Sequence, residues 1–195
     1  SLISWKIFVY FFFFFFLVWF YSHKINRFAL IKNFYLVIIR VMPFFVLLLY
    51  FENLTFNLAL HALFVTILFL ITDIVKDLSS QKADLIYNYD SIPIKYGINF
   101  TKILITSLLF INISLGFVII YKNDVGAMKY FFIGANAFFI LILLLIWQLK
   151  TVQEYKILHY FFKGMIVVGV FSIALIEINP LTLQTIAHNI NKRIY

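Results

Sequence analysis

The chain has 195 residues, of which 64% are hydrophobic and only 12% are charged. A soluble domain carries roughly 25% charged residues, so a water-soluble surface is excluded and lipid is expected to cover most of the outside. The net charge of +8 does not indicate nucleic acid, because the cations lie in short loops between apolar runs. The absence of cysteine excludes disulfides and thiolate metal sites.

Six apolar runs are long enough to cross a bilayer, which takes about 20 residues at 1.5 Å each. We therefore predict an all-α, polytopic bundle of transmembrane helices that forms one membrane domain over residues 1–195. In chain order the helices are expected near residues 2–21, 34–51, 54–72, 103–121, 130–149 and 161–178.

The loops between these runs differ in charge. The first, third and fifth loops together hold ten lysines and arginines, whereas the second holds none and the fourth holds Lys122 and Lys129. By the positive-inside rule, the three cation-rich loops are expected in the cytoplasm. This pattern is typical of a multi-pass protein of the bacterial inner membrane.

The third loop, residues 73–102, is the longest and carries an acidic stripe. We use this name for Asp73, Asp77, Ser80 and Asp84, whose spacing of 4, 3 and 4 residues places them on one helix face. Carboxylates at a membrane boundary repel one another unless they are hydrated or bind a cation, and their oxygens favour Mg²⁺. The alternative is a solvated helix end with weak surface pairs to Lys76. Further along, Asn88, Pro93 and Gly97 are expected to break the helix.

Two segments resemble a known family. Thr72 to Asp84, continued through Pro93 and Gly97, resembles the second aspartate-rich motif of the UbiA superfamily of membrane prenyltransferases. Tyr21 to Asn33, followed by Pro43, resembles another of its segments. The resemblance implies about six helices of a nine-helix bundle. It also implies Mg²⁺ and transfer of an isoprenyl group from a polyprenyl diphosphate to an aromatic or lipophilic acceptor, in quinone, haem or lipid biosynthesis.

The same resemblance suggests roles for individual residues. Asp77, Asp84 and Asp73 are the expected metal ligands, and Ser80 stands where the motif has an aspartate. The cations expected at the diphosphate are Lys24, Arg27, Lys95 and Arg40. For Lys24 and Arg27 the alternative is a purely topogenic charge, for Lys95 a solvated charge, and for Arg40 snorkelling toward the near membrane face.

The chain also departs from the family pattern. The first motif, N-x-x-x-D-x-x-x-D, is not found, and the resemblance covers the C-terminal two-thirds of the family fold, so we expect an N-terminal segment to be missing. Because a serine hydroxyl is an uncharged ligand, Mg²⁺ affinity is expected to fall. Two alternatives stay open: a non-catalytic, degenerate member of the family, and a small transporter built on intramembrane polar residues such as His61.

Overall fold

The computed structural model describes residues 5–25, 28–50, 56–121 and 126–172, and in these ranges the only regular elements are helices. Arg27 and the expected helix end at residues 173–178 lie outside them. A short 3₁₀ turn, Gly126–Met128, precedes the sixth α-helix. The α-helices are α1 Trp5–His23, α2 Ala29–Tyr50, α3 Phe56–Ile86, α4 Ile92–Tyr96, α5 Ile98–Tyr121, α6 Lys129–Leu145 and α7 Val152–Ser172.

Four of the helices form a ring. α3 packs most extensively on α7 and α5, and α6 closes the ring by contacting α5 and α7. Inside it, the rings of Phe64 and Phe132 meet edge to face at 5.1 Å, and those of Phe139 and Phe162 stack at 6.3 Å. Such aromatic pairs add to the stabilisation that burial provides. Outside the ring, α2 packs on α3, and α1 packs on α2.

Two helices of the described residues are long and apolar enough to cross a bilayer, Leu58–Ile86 and Ile98–Tyr121. Phe8–His23 and Lys129–Leu145 are apolar but shorter. The surface of α1 is nearly all aromatic, and Phe8 is 70% exposed. An apolar surface of this kind suits contact with lipid rather than with water.

α3 is longer than the apolar run that predicted it. The run was expected to end at residue 72, whereas the helix continues to Ile86 and carries the whole acidic stripe. It ends where Asn88 adopts a φ of 52°, a left-handed conformation that asparagine tolerates. The Tyr89 N–H then donates to the Asp84 carbonyl at 2.9 Å, and the Asn88 N–H donates to that of Leu85 at 3.5 Å. These two bonds form a Schellman motif.

A single residue, Gly97, separates α4 from α5. Its φ of 87° is one that side chains with a Cβ rarely adopt, and its N–H donates to the Pro93 carbonyl at 3.1 Å. Pro93 lies in the first turn of α4, where a missing N–H costs nothing. The two residues therefore set the direction in which the chain leaves the acidic stripe and enters α5.

Lys102 of α5 anchors the connection between α6 and α7. Although it is a lysine, it is only 6% exposed, and its Nζ donates to the carbonyl oxygens of Leu149 at 2.7 Å and Trp147 at 3.4 Å. The Tyr155 hydroxyl donates to the same Leu149 carbonyl at 2.8 Å, and the Trp147 and Tyr155 rings both face the ammonium. A cation at this position offsets the negative end of α6.

A capping box begins α7. The Glu154 carboxylate accepts the N–H groups of Thr151 and Lys150 at 2.8 Å, and the Glu154 N–H donates to the Thr151 hydroxyl at 3.3 Å. The hydrogen bonds from Thr151 and Lys150 hold the pKa of the exposed Glu154 carboxyl below its ordinary value. The sharp turn from α6 into α7 is therefore fixed at both ends, by Lys102 and by this box.

We expect Lys102→Met to lower the free energy of unfolding by about 1–3 kcal/mol, because two carbonyls lose a charged donor. The measurement is thermal unfolding of the purified protein in detergent. Lys150→Met, at an exposed position of the same connection, is the matched control and should stay within about 0.5 kcal/mol of wild type. Equal effects of the two substitutions would contradict the anchoring role of Lys102.

Candidate functional site

The inner end of the acidic stripe is paired with α2. Asp73 is 5% exposed, and both of its carboxylate oxygens lie 2.9 Å from Nη1 of Arg40. The Arg40 guanidinium also lies over the Phe69 ring, 5.7 Å from its centroid. A carboxylate buried to this extent is tolerated when it is paired and hydrogen-bonded. Arg40 thus serves first as the partner of Asp73.

Asp77, one turn further along α3, is also held by α2. Asn33 is buried and donates from Nδ2 to one carboxylate oxygen at 2.9 Å, while Nζ of Lys32 lies 3.5 Å from the other. Asp77 is only 6% exposed, so both of its oxygens depend on these partners. The two helices run antiparallel, and residues 33 and 40 of α2 therefore meet residues 77 and 73 of α3 in that order.

The outer end of the stripe has different surroundings. Ser80 donates its hydroxyl to the Asp84 carboxylate at 3.0 Å, which is the i to i+4 contact expected on one helix face. Asp84 is partly exposed and belongs to neither of the ion pairs within the described residues, which join Lys32 to Asp77 and Arg40 to Asp73. One negative charge therefore stands at the open end of the stripe, beyond the region that α2 neutralises.

The remaining predicted cations are spread around this end of the molecule. Lys24 directly follows α1 and is exposed, and Lys95 is exposed on α4. Neither makes an ion pair within the part of the chain that the structure describes. Arg27 falls in the gap at residues 26–27. Among the three of these cations that the structure describes, Lys24, Arg40 and Lys95, only Arg40 forms an ion pair with the stripe.

Comparison with known proteins identifies the family. The profile of the UbiA prenyltransferase family matches residues 1–183. The chain belongs to the UbiA prenyltransferase family. No curated protein and no solved structure gave a significant match. The match confirms the predicted all-α, polytopic membrane fold, because members of this family are integral membrane proteins and every helix described above fits a helical bundle.

Family membership implies Mg²⁺, and the donors present can be compared with what that ion prefers. Within residues 5–25, 28–50, 56–121 and 126–172, no three histidines, cysteines or acidic residues cluster as a metal site. Mg²⁺ does not need such a cluster, since it commonly takes one or two carboxylates together with substrate phosphates and water. The partly exposed Asp84 carboxylate, with the Ser80 hydroxyl beside it, fits that smaller requirement.

Two residues of the site, Lys32 and Asn33, carried no predicted role. For Asn33, the spacing in the sequence already indicates which face of α2 it lies on. Asn33 and Arg40 are seven residues apart, so they lie on one face of α2, and Asp73 and Asp77 present a matching face on α3. The spacing shows that the two faces are compatible, but it does not show that they meet.

We expect Arg40→Met to destabilise the protein by about 1–3 kcal/mol, because it leaves the buried Asp73 carboxylate unpaired. The lower end of the range reflects solvent screening, since the Arg40 side chain is 39% exposed. Asp73→Asn in the Arg40→Met background should recover part of the loss, which a double-mutant cycle of unfolding temperatures in detergent measures. A variant that unfolds like wild type but loses diphosphate binding would show that Arg40 contacts substrate instead.

Proposed function

We propose that this protein transfers an isoprenyl group from a polyprenyl diphosphate to an aromatic or lipophilic acceptor, such as a precursor of a quinone, haem or lipid. Family membership supports the class of reaction. The observation that carries the proposal is the outer end of the stripe. There Asp84 and Ser80 lie beyond Asp77, the carboxylate that is paired with Lys32 of α2. The stripe end is proposed to face the cytoplasm, in agreement with the distribution of lysine and arginine between loops.

In this proposal Asp84 would hold Mg²⁺, and Asp77, whose oxygens contact Asn33 and Lys32, would take part only by giving up its contact with Lys32. The ion, when bound, offsets the charge that grows on the departing diphosphate. Asp77 and Asp84 are separated by two helical turns, about 10.5 Å of rise, so the two carboxylates would not hold the same ion. Asp73 stays with Arg40 and orients α2, although the sequence predicted it as a ligand.

The exposed cations near the outer end of the stripe are proposed to have a different role from Asp84. Lys24, Arg27 and Lys95 are proposed to contact the outer oxygens of the diphosphate, where each positive charge stabilises the leaving group. Lys24 and Lys95 are exposed and unpaired in the described residues, so contact with a phosphate would not require either to break an ion pair. Arg40 contributes indirectly, through the position of Asp73.

A second candidate function is a member of the family that no longer catalyses transfer. Ser80 favours it, because the hydroxyl replaces one of two carboxylates that the resembled motif sets four residues apart. One oxygen of the remaining carboxylate, that of Asp84, accepts the hydrogen bond from Ser80. A site with a single carboxylate binds Mg²⁺ and a diphosphate more weakly than a site with two.

Transfer of labelled geranylgeranyl diphosphate in membranes containing the full-length protein tests the catalytic role of Asp84. We expect Asp84→Ala to reduce transfer at least about tenfold, since losing one contact to a charged group costs about 1.5–3 kcal/mol. Asp90→Ala removes an exposed carboxylate from the loop after α3 and is the matched control. Equal activity of wild type and Asp84→Ala would rule out the proposed role, and no transfer by wild type would favour the degenerate member.

Ser80→Asp tests the metal site by gain of function. It restores two carboxylates at i and i+4, so Mg²⁺-dependent binding of pyrophosphate, measured by calorimetry in detergent, should tighten by roughly tenfold or more. Ser79→Asp adds the same charge on a neighbouring face, where Ser79 now bonds the Lys76 carbonyl, and should have little effect. Micromolar binding by wild type, or equal binding by the two variants, would contradict the view that Ser80 weakens the site.

A further inference from the structure

We propose that Lys32, for which the sequence predicted no role, contacts the diphosphate directly, at the boundary between the inner and outer ends of the acidic stripe. The inference rests on the proposed function, because it takes a diphosphate to bind at the outer end of the stripe. It adds a cation that α2 supplies and that binds phosphate oxygens without a metal ion.

The contact between Lys32 and Asp77 is loose. Nζ of Lys32 lies 3.5 Å from Oδ1 of Asp77, whereas a charge-assisted hydrogen bond spans about 2.7–2.9 Å. By comparison, Nη1 of Arg40 lies 2.9 Å from both carboxylate oxygens of Asp73. An ammonium carries three N–H donors. Lys32 can therefore donate to a phosphate oxygen while it stays next to Asp77.

Asp77 does not depend on Lys32 alone. Asn33 donates to its other oxygen, Oδ2, at 2.9 Å, and the backbone N–H of Ile92 at the start of α4 also stabilises the carboxylate charge. Packing fixes both donors, since Asn33 and Ile92 are buried. The Lys32 side chain, by contrast, is partly exposed, at 12%. The buried donors hold the carboxylate in place, and the ammonium is the group of this cluster that a ligand can reach.

The direction of Lys32 also suits a ligand at the outer end of the stripe. Side chains on a helix lean toward its N-terminus. Because α2 and α3 are antiparallel, the N-terminus of α2 lies at the end where α3 carries Ser80 and Asp84. Ser80, one turn past Asp77, has no charge, so a phosphate at this level is repelled less than it would be by a third carboxylate.

The two phosphates of a diphosphate would then be held by different groups. Asp84 lies two turns beyond Asp77, about 10.5 Å along the helix. One phosphate would lie toward Asp84, through the metal ion proposed there, and the other toward Lys32. The ammonium would offset part of the charge that grows on the departing diphosphate. Since a single phosphate cannot reach both groups, the arrangement favours pyrophosphate over inorganic phosphate.

The test measures how far pyrophosphate raises the unfolding temperature of the full-length protein in detergent, with Mg²⁺ and with a chelator, because a ligand of the folded state stabilises it according to its affinity. We expect Lys32→Met to weaken pyrophosphate binding at least about tenfold under both conditions, since one hydrogen bond to a charged group is lost. Asp84→Asn should weaken binding only with Mg²⁺. Lys32→Arg should retain most of the affinity, and inorganic phosphate should bind more weakly than pyrophosphate.

Asp77→Asn separates a phosphate contact from a purely structural role of Lys32. If Lys32 only neutralises Asp77, the double variant Lys32→Met, Asp77→Asn removes both charges and regains wild-type affinity for pyrophosphate, which would overturn the proposal. We expect instead that the unfolding temperature recovers, whereas the affinity stays at least about tenfold below that of Asp77→Asn alone.

Lys82→Met is the matched control, because it removes an exposed lysine from the opposite face of the same end of α3. It should leave the affinity for pyrophosphate unchanged. Equal weakening by Lys82→Met and Lys32→Met would overturn the proposal, and so would unchanged affinity in Lys32→Met or no stabilisation of wild type by pyrophosphate.

Transfer of labelled geranylgeranyl diphosphate in membranes distinguishes a failure of this inference from a failure of the proposed function. Pyrophosphate binding that depends on Lys32, in a wild-type protein that transfers no isoprenyl group, would support the Lys32 contact and overturn the function. Transfer by wild type with an unchanged KM for the diphosphate in Lys32→Met would support the function and overturn the contact.

Discussion

The pairing of two buried carboxylates on α3 with the cations of α2 is the constraint on which the rest of the site depends. Asp73 is 5% and Asp77 6% exposed, and a carboxylate buried to this extent is destabilising when it loses its partner. α2 must therefore lie antiparallel to α3, at the height where Arg40 meets Asp73 and Lys32 meets Asp77. The position of α1 follows, because the rings of Tyr21 and Tyr35 stack at 6.0 Å across the α1–α2 contact.

The same pairing divides the acidic stripe by charge. At its inner end two carboxylates face two cations and the sum is zero, whereas at its outer end Asp84 keeps one negative charge. A diphosphate is itself strongly negative and would be repelled by three free carboxylates. Under the proposed function, a divalent cation held by Asp84 would then offset the charge of the diphosphate. The ion pairs with α2 thus determine the charge along the stripe as well as the position of the two helices.

The acidic stripe was predictable, because intervals of 4, 3 and 4 residues match the helical repeat and place the four side chains on one face. The end of α3 agrees with the expectation that Asn88 breaks the helix, since Asn88 adopts a positive φ there. Hydropathy alone indicates only where lipid contact ends, which is why the apolar run stopped at residue 72. The partners of Asp73 and Asp77 were also out of reach, since the sequence gives the face of each helix but not the rotation of one helix against another. Lys102 illustrates the same limit: the sequence placed it at the end of the third loop, among the cations counted as cytoplasmic, and gave no sign that it is buried against the α6–α7 connection.

The lysines of this chain have different surroundings although composition counts them alike. Lys32 neutralises an aspartate, and Lys102 caps the carbonyls at the end of α6. The chain has 16 lysines and arginines but only 8 aspartates and glutamates, and at least two of those acids, Asp73 and Asp77, are already used between α2 and α3. Most of the remaining cations must therefore find counter-charges outside the chain. For lysines at a lipid-facing surface, the phosphates of the bilayer headgroups are the nearest source of negative charge.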